Sequence, residues 1–253
     1  MVWEASNLTK RKHYFFDAKG GISKGLYKGL NVNTSSDDDA ENLNENLNRI
    51  AQYFGLNRKN LLLLKQGVSD KAVYVEEASQ DKIEADGAVT DKVDIVLSIR
   101  TADCAPILLE DRKNGVVGAA HAGWRGAYKG IIGNVVRLMI EKGAELDNIA
   151  AAIGPCIGKK SYEVDESFYC QFVNKDSLFV KYFINSIKKG FYLFDLEQFC
   201  ADRLRDAGIS NIEISGHDTY TLEDEYFSFR RFTHQGIIQK PRCFATELSG
   251  IVL

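Results

Sequence analysis

Short apolar runs separated by polar turns recur along the chain and predict strands. They lie at residues 61–64, 72–75, 94–99, 115–120, 149–153 and 212–214. Two longer stretches instead place apolar residues three or four positions apart. One covers residues 43–54 and follows the acidic positions 37–41, and the other covers residues 127–142 and stops at Gly143. Both are predicted to be amphipathic helices.

Two further helices are predicted in the second half of the chain. One begins at residues 161–165, and the other runs over residues 195–204, where Asp195 and Gln198 resemble a capping box. Cys170 and Cys200 fall on these helices and are expected in the core. Because strands and helices interleave without a strict β-α-β period, mixed sheets are favoured over a doubly wound parallel sheet. The predicted fold class is α/β of the α+β type.

Length and composition exclude several classes of protein. The 253 residues, 45% of them apolar, suit one large domain or two closely packed halves. A net charge of −3 and a pI near 5.9 leave no basic excess for a phosphate backbone, so nucleic acid is not an expected partner. The chain has neither a signal-peptide pattern nor an apolar run of about 18 residues. A cytoplasmic protein without membrane contact is therefore expected, and its oligomeric state stays open.

The cysteines are expected to be free thiols. There are five of them, an odd number, and they are widely spaced without a CxxC pair. This pattern argues against both a disulfide framework and a structural zinc knuckle.

The stretch from residue 100 to 126 (RTADCAPILLEDRKNGVVGAAHAGWRG) carries the candidate chemistry. Cys104 follows Asp103, and His121 precedes the run Gly123-Trp124-Arg125-Gly126. A turn signal at residues 111–115 separates them, so Cys104 and His121 are expected to converge at one end of a sheet. Either residue alone is more often a buried packing residue, but together with Asp103 and Arg125 they indicate a site.

A thiol beside an imidazole permits two kinds of chemistry. The pair can act as nucleophile and base, or it can supply two of the three protein ligands of a catalytic zinc. Residues 123–126 also form a glycine-rich turn between a predicted strand and a predicted helix. Such a turn presents backbone N–H groups to an anion, which makes it a candidate phosphate cradle.

Five motifs resemble the YfiH family, which has been described as laccase domain, peptidoglycan editing factor and purine nucleoside phosphorylase. They are GGIS…GLN at 20–31, TADCAP at 101–106, AAHAGWRG at 119–126, IGPCIG at 153–158 and FSFRR at 227–231. The resemblance implies a single domain over residues 1–253, with layered α/β/β/α architecture and mixed sheets. It also implies a zinc held by two histidines and one cysteine, and phosphorolysis of adenosine, inosine and methylthioadenosine with some adenosine deamination.

The resemblance also assigns residues. Cys104 and His121 match the family's cysteine and second histidine ligand, and with Asp103 they form the predicted catalytic set. The predicted substrate-binding positions are Asn31, Gln66, Gly123, Trp124, Arg125 and Arg230. Val68 stands where the family has its first histidine ligand, and a valine cannot ligate a metal.

Two hypotheses follow. The first is a purine nucleoside phosphorylase that binds a purine nucleoside and phosphate at a zinc-type site. The second is a zinc-depleted relative with little turnover that binds a purine or a partner. A multicopper oxidase ranks third, because only one of the four histidines lies in the site motifs.

Overall fold

The computed structural model describes residues 2–78, 83–238 and 243–253. The strands in these ranges are β1 (Val2–Trp3), β2 (Lys12–Phe16), β3 (Leu61–Leu63), β4 (Ala72–Tyr74), β5 (Gly87–Thr90), β6 (Val96–Thr101), β7 (Ala105–Asp111), β8 (Val116–Ala122), β9 (Ile149–Ile153), β10 (Glu163–Asp165), β11 (Phe183–Asn185), β12 (Phe191–Phe194), β13 (Asn211–Ile214) and β14 (Glu247–Val252). The α-helices are α1 (Ala40–Tyr53), α2 (Trp124–Lys129), α3 (Ile131–Glu141), α4 (Glu166–Lys175), α5 (Leu196–Asp206) and α6 (Phe229–His234).

Both large sheets are mixed, as predicted. The five-stranded sheet has the order β1-β2-β14-β6-β3 and is antiparallel except for the β3–β6 pair. The six-stranded sheet has the order β13-β9-β7-β8-β5-β4, with parallel pairs at its two edges and antiparallel pairs between them. A small antiparallel sheet, β10-β12-β11, lies apart from these two.

The two large sheets pack face to face, and helices cover their outer faces. Leu97 and Ile99 of β6 meet Leu108 of β7 and Val117 of β8 in the apolar layer between the sheets. α1 packs on the five-stranded sheet, and α3 and α5 pack on the six-stranded sheet. The predicted layered α/β/β/α architecture is therefore confirmed.

Helix α1 shows how local sequence sets an element. The Asp39 side chain accepts a hydrogen bond from the Glu41 N–H, which satisfies one of the donors left open at a helix start. The buried face of the helix includes Leu43, Leu47 and Ile50, which recur at helical spacing. The helix predicted at residues 43–54 is thus present at Ala40–Tyr53.

Several sequence predictions need correction. The helix predicted to begin at residues 161–165 begins at Glu166, because Glu163–Asp165 form β10 and the Asp165 side chain caps the helix. The helix predicted over residues 127–142 is two helices, α2 and α3, because Gly130 adopts a φ of 114° that interrupts the helical path. Cys170 is exposed on α4, whereas Cys200 is buried on α5 as expected. The strand paired with β8 is β7, whose fully buried sequence APILLED was not predicted as a strand.

None of the helices within the described ranges has the length and apolar character needed to cross a bilayer.

Candidate functional site

A cleft of about 1020 Å³ opens beside the ends of the two large sheets. It is lined by side chains that both sheets and their connecting segments contribute. Those lining residues include Thr34, Arg58, Leu64, Gln66, Val68, Arg100, Asp103, Cys104, His121, Gly123, Trp124, Arg125, Tyr162, Phe229, Arg230 and Thr246. All but one of the site residues predicted from the sequence therefore face this cleft, and the exception is Asn31.

The β7–β8 hairpin brings Cys104 and His121 together. The strands run antiparallel with Pro106 opposite His121, so Cys104, just before β7, lies at the strand end where His121 sits. A Cβ built on Gly123 would lie 2.8 Å from the Cys104 sulfur and 3.8 Å from the His121 Nε2. The thiol and the imidazole thus approach one point, and only glycine leaves that point open.

Asp86 fixes the orientation of the His121 ring. Its Oδ1 lies 2.8 Å from the His121 Nδ1, and its main-chain carbonyl accepts a 2.7 Å hydrogen bond from the His121 N–H. The same carboxylate accepts hydrogen bonds from the N–H groups of Gly67, Val68 and Ser69 and from the Ser69 hydroxyl. One fully buried carboxylate therefore aims the imidazole and holds the loop at residues 67–69 against it.

This arrangement favours a charged carboxylate and a charged imidazole. Burial alone would raise the pKa of Asp86, but hydrogen bonds from His121 and Ser69 hold it well below its usual range. Burial alone would lower the pKa of His121, but the Cys104 sulfur and the hydrogen bond with Asp86 raise it to about 9. These contacts favour the protonated form of His121, whose Nε2 lies on the side of the Cys104 sulfur.

Asp103 lies at the junction of several segments. Its carboxylate accepts hydrogen bonds from the Thr219 hydroxyl at 2.7 Å and from the Arg230 N–H at 2.6 Å. Its carbonyl accepts a bond from the Ile157 N–H, and its φ is 86°. Burial raises the pKa of this carboxyl in spite of the donors around it. Asp103 thereby fixes the start of α6 against the cleft.

Two arginines lie near the Cys104 and His121 pair. Arg230 donates a 2.7 Å hydrogen bond to the Glu163 carbonyl, and its guanidinium lies over the Tyr162 ring. Arg125 is exposed, and its guanidinium lies 4.3 Å from the centre of the Trp124 ring. At the predicted anion cradle, the short helix α2 of six residues follows Gly123, which caps it without a side-chain hydrogen bond. Its charged component is Arg125.

Gln66 and Asn31 form mainly internal contacts. The Gln66 carboxamide donates to the Arg100 carbonyl at 2.8 Å and accepts from the Arg100 N–H at 2.9 Å, which extends the β3–β6 pairing. Asn31 is fully buried behind the cleft wall. Its side chain bonds Asp38 and the N–H groups of Asn33 and Thr246, and so shapes the wall from behind.

Comparison with known proteins decides the family. Residues 12–239 match the family described as multi-copper polyphenol oxidoreductase laccase, which is nearly the whole chain. A purine nucleoside phosphorylase YfiH of Escherichia coli is 31% identical over 84% of this chain and 85% of its own length. The chain belongs to the YfiH family.

Two further comparisons support this family assignment, one by sequence and one by structure. A purine nucleoside phosphorylase of Rickettsia prowazekii is 41% identical over 76% of this chain and 78% of its own length. The crystal structure of a Bacillus licheniformis YfiH protein superimposes with a TM-score of 0.87 at 27% identity. That match covers 96% of this chain and 92% of the other.

The residues present do not fit the zinc site that the YfiH resemblance implies. Cys104 and His121 can face one ion, but the third position is Val68. Its N–H is bonded to Asp86, and its φ of 61° is unusual for a β-branched residue. In the ranges that the structure describes, no three His, Cys, Asp or Glu side chains are grouped to hold a metal. A catalytic zinc normally has three protein ligands.

Two other histidines, His217 and His234, do not supply the missing ligand. His217 pairs through Nδ1 with the Tyr226 hydroxyl at 2.8 Å, and His234 pairs with the Tyr220 hydroxyl at 3.0 Å. Neither lines the cleft in the described part of the chain.

Sequence reasoning missed Asp86, Arg58, Arg100 and Tyr162. Asp86 lies in the sequence Ala85-Asp86-Gly87, which is typical of a turn, and its partners are 17 to 35 residues away. The one sequence feature that could have indicated a role for Asp86 is that this acid lies among small residues between two apolar strands. Arg58 and Arg100 lie beside leucine-rich strands and carried no motif of their own.

Proposed function

We propose that this chain is a purine nucleoside phosphorylase acting on adenosine, inosine and methylthioadenosine with inorganic phosphate. The observation that carries the proposal is the approach of Cys104 and His121 to one point on the floor of the cleft, beside Gly123. Relatives named purine nucleoside phosphorylase, at up to 41% identity among those compared, support the reaction class.

In the proposed reaction, the bond between the ribose C1′ and the purine nitrogen breaks, and its electron pair stays with the purine. A phosphate oxygen forms the new bond at C1′, which gives ribose 1-phosphate and free base. The leaving purine needs a proton, and His121 is the donor that we assign. Asp86 supports this role because it holds the imidazole in place and keeps it charged.

The cationic side chains take the phosphate in this proposal. Arg125 is exposed at the cleft and free to turn from the Trp124 ring towards an anion. The short helix α2 adds little, because a helix dipole needs several turns to develop. Asp103 acts by holding the backbone of Arg230 in place, since its carboxylate already accepts internal hydrogen bonds.

No step is assigned to a metal, because the residues present do not enclose one. Adenosine deamination is proposed as a minor side activity, which the same product analysis detects as inosine or hypoxanthine formed from adenosine. We also propose a cytoplasmic location, where purine nucleosides and phosphate are both available.

Product analysis tests the proposal. Folded protein is incubated with inosine or adenosine, with and without phosphate, and the products are separated by chromatography. Free base and ribose 1-phosphate should form only with phosphate, and Arg125→Ala should raise the phosphate concentration required by about tenfold. Folded protein that releases no base under any condition would contradict the proposal.

The alternative is a purine-binding relative with little turnover. The observation that favours it is Val68, which removes a ligand position from the site. Under this alternative, inosine binds in a calorimetric titration but no base appears.

A further inference from the structure

Positive charge dominates the cleft beyond the Cys104 and His121 pair. Six cationic side chains line it, namely Arg58, Lys65, Lys71, Arg100, Arg125 and Arg230, against the acids Glu84 and Asp103 in the described residues. Glu84 is already paired with Lys65 at 2.5 Å. Asp103 is buried and accepts internal hydrogen bonds. Neither acid of the lining therefore forms an ion pair with Arg100.

Arg100 is the most constrained of these cations. It extends from β6, where its Nη1 donates to the Thr34 hydroxyl at 2.9 Å and its Nη2 donates to the Leu64 carbonyl at 2.8 Å. Its Nε is buried, and among the described residues it has no hydrogen-bond partner. Nor does any carboxylate of the described chain form an ion pair with this guanidinium. The partners that the described residues give this charge are neutral groups.

A second arginine adds to this charge. Arg58, in the turn before β3, also lines the cleft and is half-buried. Burial lowers the pKa of Arg100 to about 10, and the charge of Arg58 contributes to the lowering. The two like charges repel each other, so an anion bound beside Arg100 is attracted by both.

The arrangement matches a phosphoryl group better than other anions. Guanidinium groups bind phosphate oxygens through paired N–H donors, and two of them balance a dianion. The Thr34 hydroxyl accepts from Arg100, which leaves its own proton for an incoming oxygen. Arg58 and Arg100 belong to the five-stranded sheet side, whereas Arg125 follows β8 of the six-stranded sheet. The cleft, at the upper end of about 300–1000 Å³ for ligand pockets, has room for both sets to be occupied.

We propose that Arg58, Arg100 and Thr34 form a second anion subsite that binds a phosphoryl group, separate from the anion position at Arg125. The group is either a phosphate ester carried by the nucleoside or inorganic phosphate itself. If it is the ester, the preferred substrate class is a phosphorylated purine nucleoside. This assignment of substrate class rests on the proposed function, but the existence of the subsite does not.

Calorimetric titrations without turnover test the subsite. The protein is titrated with inosine, with inosine 5′-monophosphate in phosphate-free buffer, and with inorganic phosphate alone. No phosphorolysis can proceed under these conditions, because nucleoside and phosphate are never present together. The titrations therefore test the subsite even if the protein does not catalyse the proposed reaction. Wild type is expected to bind the monophosphate about tenfold more tightly than inosine. Arg58→Gln and Arg100→Gln should each remove most of that advantage.

Lys59→Gln is the matched control, since it removes one charge from the same turn at an exposed position outside the cleft lining. It should leave the ratio of the two dissociation constants unchanged. A different outcome is that both arginine variants bind inorganic phosphate more weakly than wild type while the ratio of the dissociation constants of inosine and inosine 5′-monophosphate stays the same. In that case the subsite binds free phosphate. Arg58→Gln provides the test if Arg100→Gln does not fold. The proposal is overturned if folded arginine variants change neither quantity, or if Lys59→Gln changes them equally.

Discussion

On the side of the cleft built by the six-stranded sheet, the Asp86 carboxylate receives five hydrogen bonds, one of them from His121. On the side built by the five-stranded sheet, the Arg100 guanidinium donates, within the described ranges, to one hydroxyl and one carbonyl. The first contact is an internal pair of opposite charges, whereas the second leaves the Arg100 charge at the cleft without an ion pair among the described residues. Internal pairing fixes geometry, which proton transfer requires, whereas unpaired charge attracts a ligand. The two sides therefore differ in what they are built to do.

Asp86→Asn should disturb the internally paired side most. Both carboxylate oxygens accept from N–H or O–H donors, so an amide NH2 would face a donor whichever way it turned. We expect a loss of about 3 kcal/mol in the free energy of unfolding, measured by urea denaturation. Asp91→Asn, at an exposed position, is the control. If Asp86→Asn changes the free energy of unfolding by less than about 0.5 kcal/mol, the Asp86 carboxylate does not hold this part of the cleft together.

Gly123→Ala tests whether the approach of thiol and imidazole matters for catalysis. The added Cβ would lie 2.8 Å from the Cys104 sulfur, so that side chain must shift. A misplacement of this size should lower kcat/KM for inosine phosphorolysis about 100-fold, while purine binding changes less. Gly133→Ala in α3 adds its Cβ in open space and should stabilise the protein by about 0.5–1 kcal/mol. Full activity of Gly123→Ala would remove Cys104 and His121 from the reacting position.

Val68→His asks whether the internally paired side can regain a metal. Purified wild type should hold less than one zinc per chain, because Cys104 and His121 alone do not enclose the ion. The substituted chain should bind zinc more than about 100-fold more tightly, measured by metal analysis and competition with a chelator. Val68→Asn, which tolerates the positive φ, controls for the backbone. One tightly held zinc per wild-type chain would contradict the prediction.

Glu247→Gln changes a buried carboxyl group in the five-stranded sheet. Of the four substitutions, it should have the smallest effect. Burial raises the pKa of Glu247 above its ordinary value, so the folded chain keeps a proton that the unfolded chain loses above about pH 4.5. Stability should therefore fall as pH rises from 5 towards 8. The glutamine variant should lack this slope and be more stable by about 1 kcal/mol at pH 7. Denaturant unfolding at several pH values measures the pH dependence of the free energy of unfolding, and Glu223→Gln at an exposed position is the control. Wild-type and Glu247→Gln stabilities that change in parallel with pH would refute the prediction.

The sequence was informative where the relevant contacts are local. Neighbouring residues determine the caps of α1 and α5 and the apolar runs that form the strands. The approach of Cys104 to His121 follows from one hairpin. Asp86 was not found, because its role depends on a loop at residues 67–69 and on His121, which only the assembled sheet brings together. The break at Gly130 was missed for the opposite reason. An apolar stripe that continues on both sides of a glycine looks like one helix.

The roles of the predicted substrate residues remain predictions, and the structure refines what each can do. The family resemblance assigns Gln66 to the substrate site, and this residue lies just beyond the leucine run at residues 61–64. Its carboxamide is bonded on both sides to the Arg100 backbone, and periodicity cannot reveal a side chain that extends a sheet. The same contact places Arg100, which carried no motif, at the cleft.

The position of β14 has a consequence for how the protein folds as it is synthesised. This strand, Glu247–Val252, lies between β2 and β6 in the middle of the five-stranded sheet. Its partner in β2 is more than 230 residues earlier in the chain. Until the ribosome has released residues 247–252, β2 and β6 both have an open edge, and open edges invite pairing with other chains. The nascent chain is therefore expected to need protection from aggregation until residues 247–252 have emerged, and a chain truncated before β14 should depend on chaperones throughout.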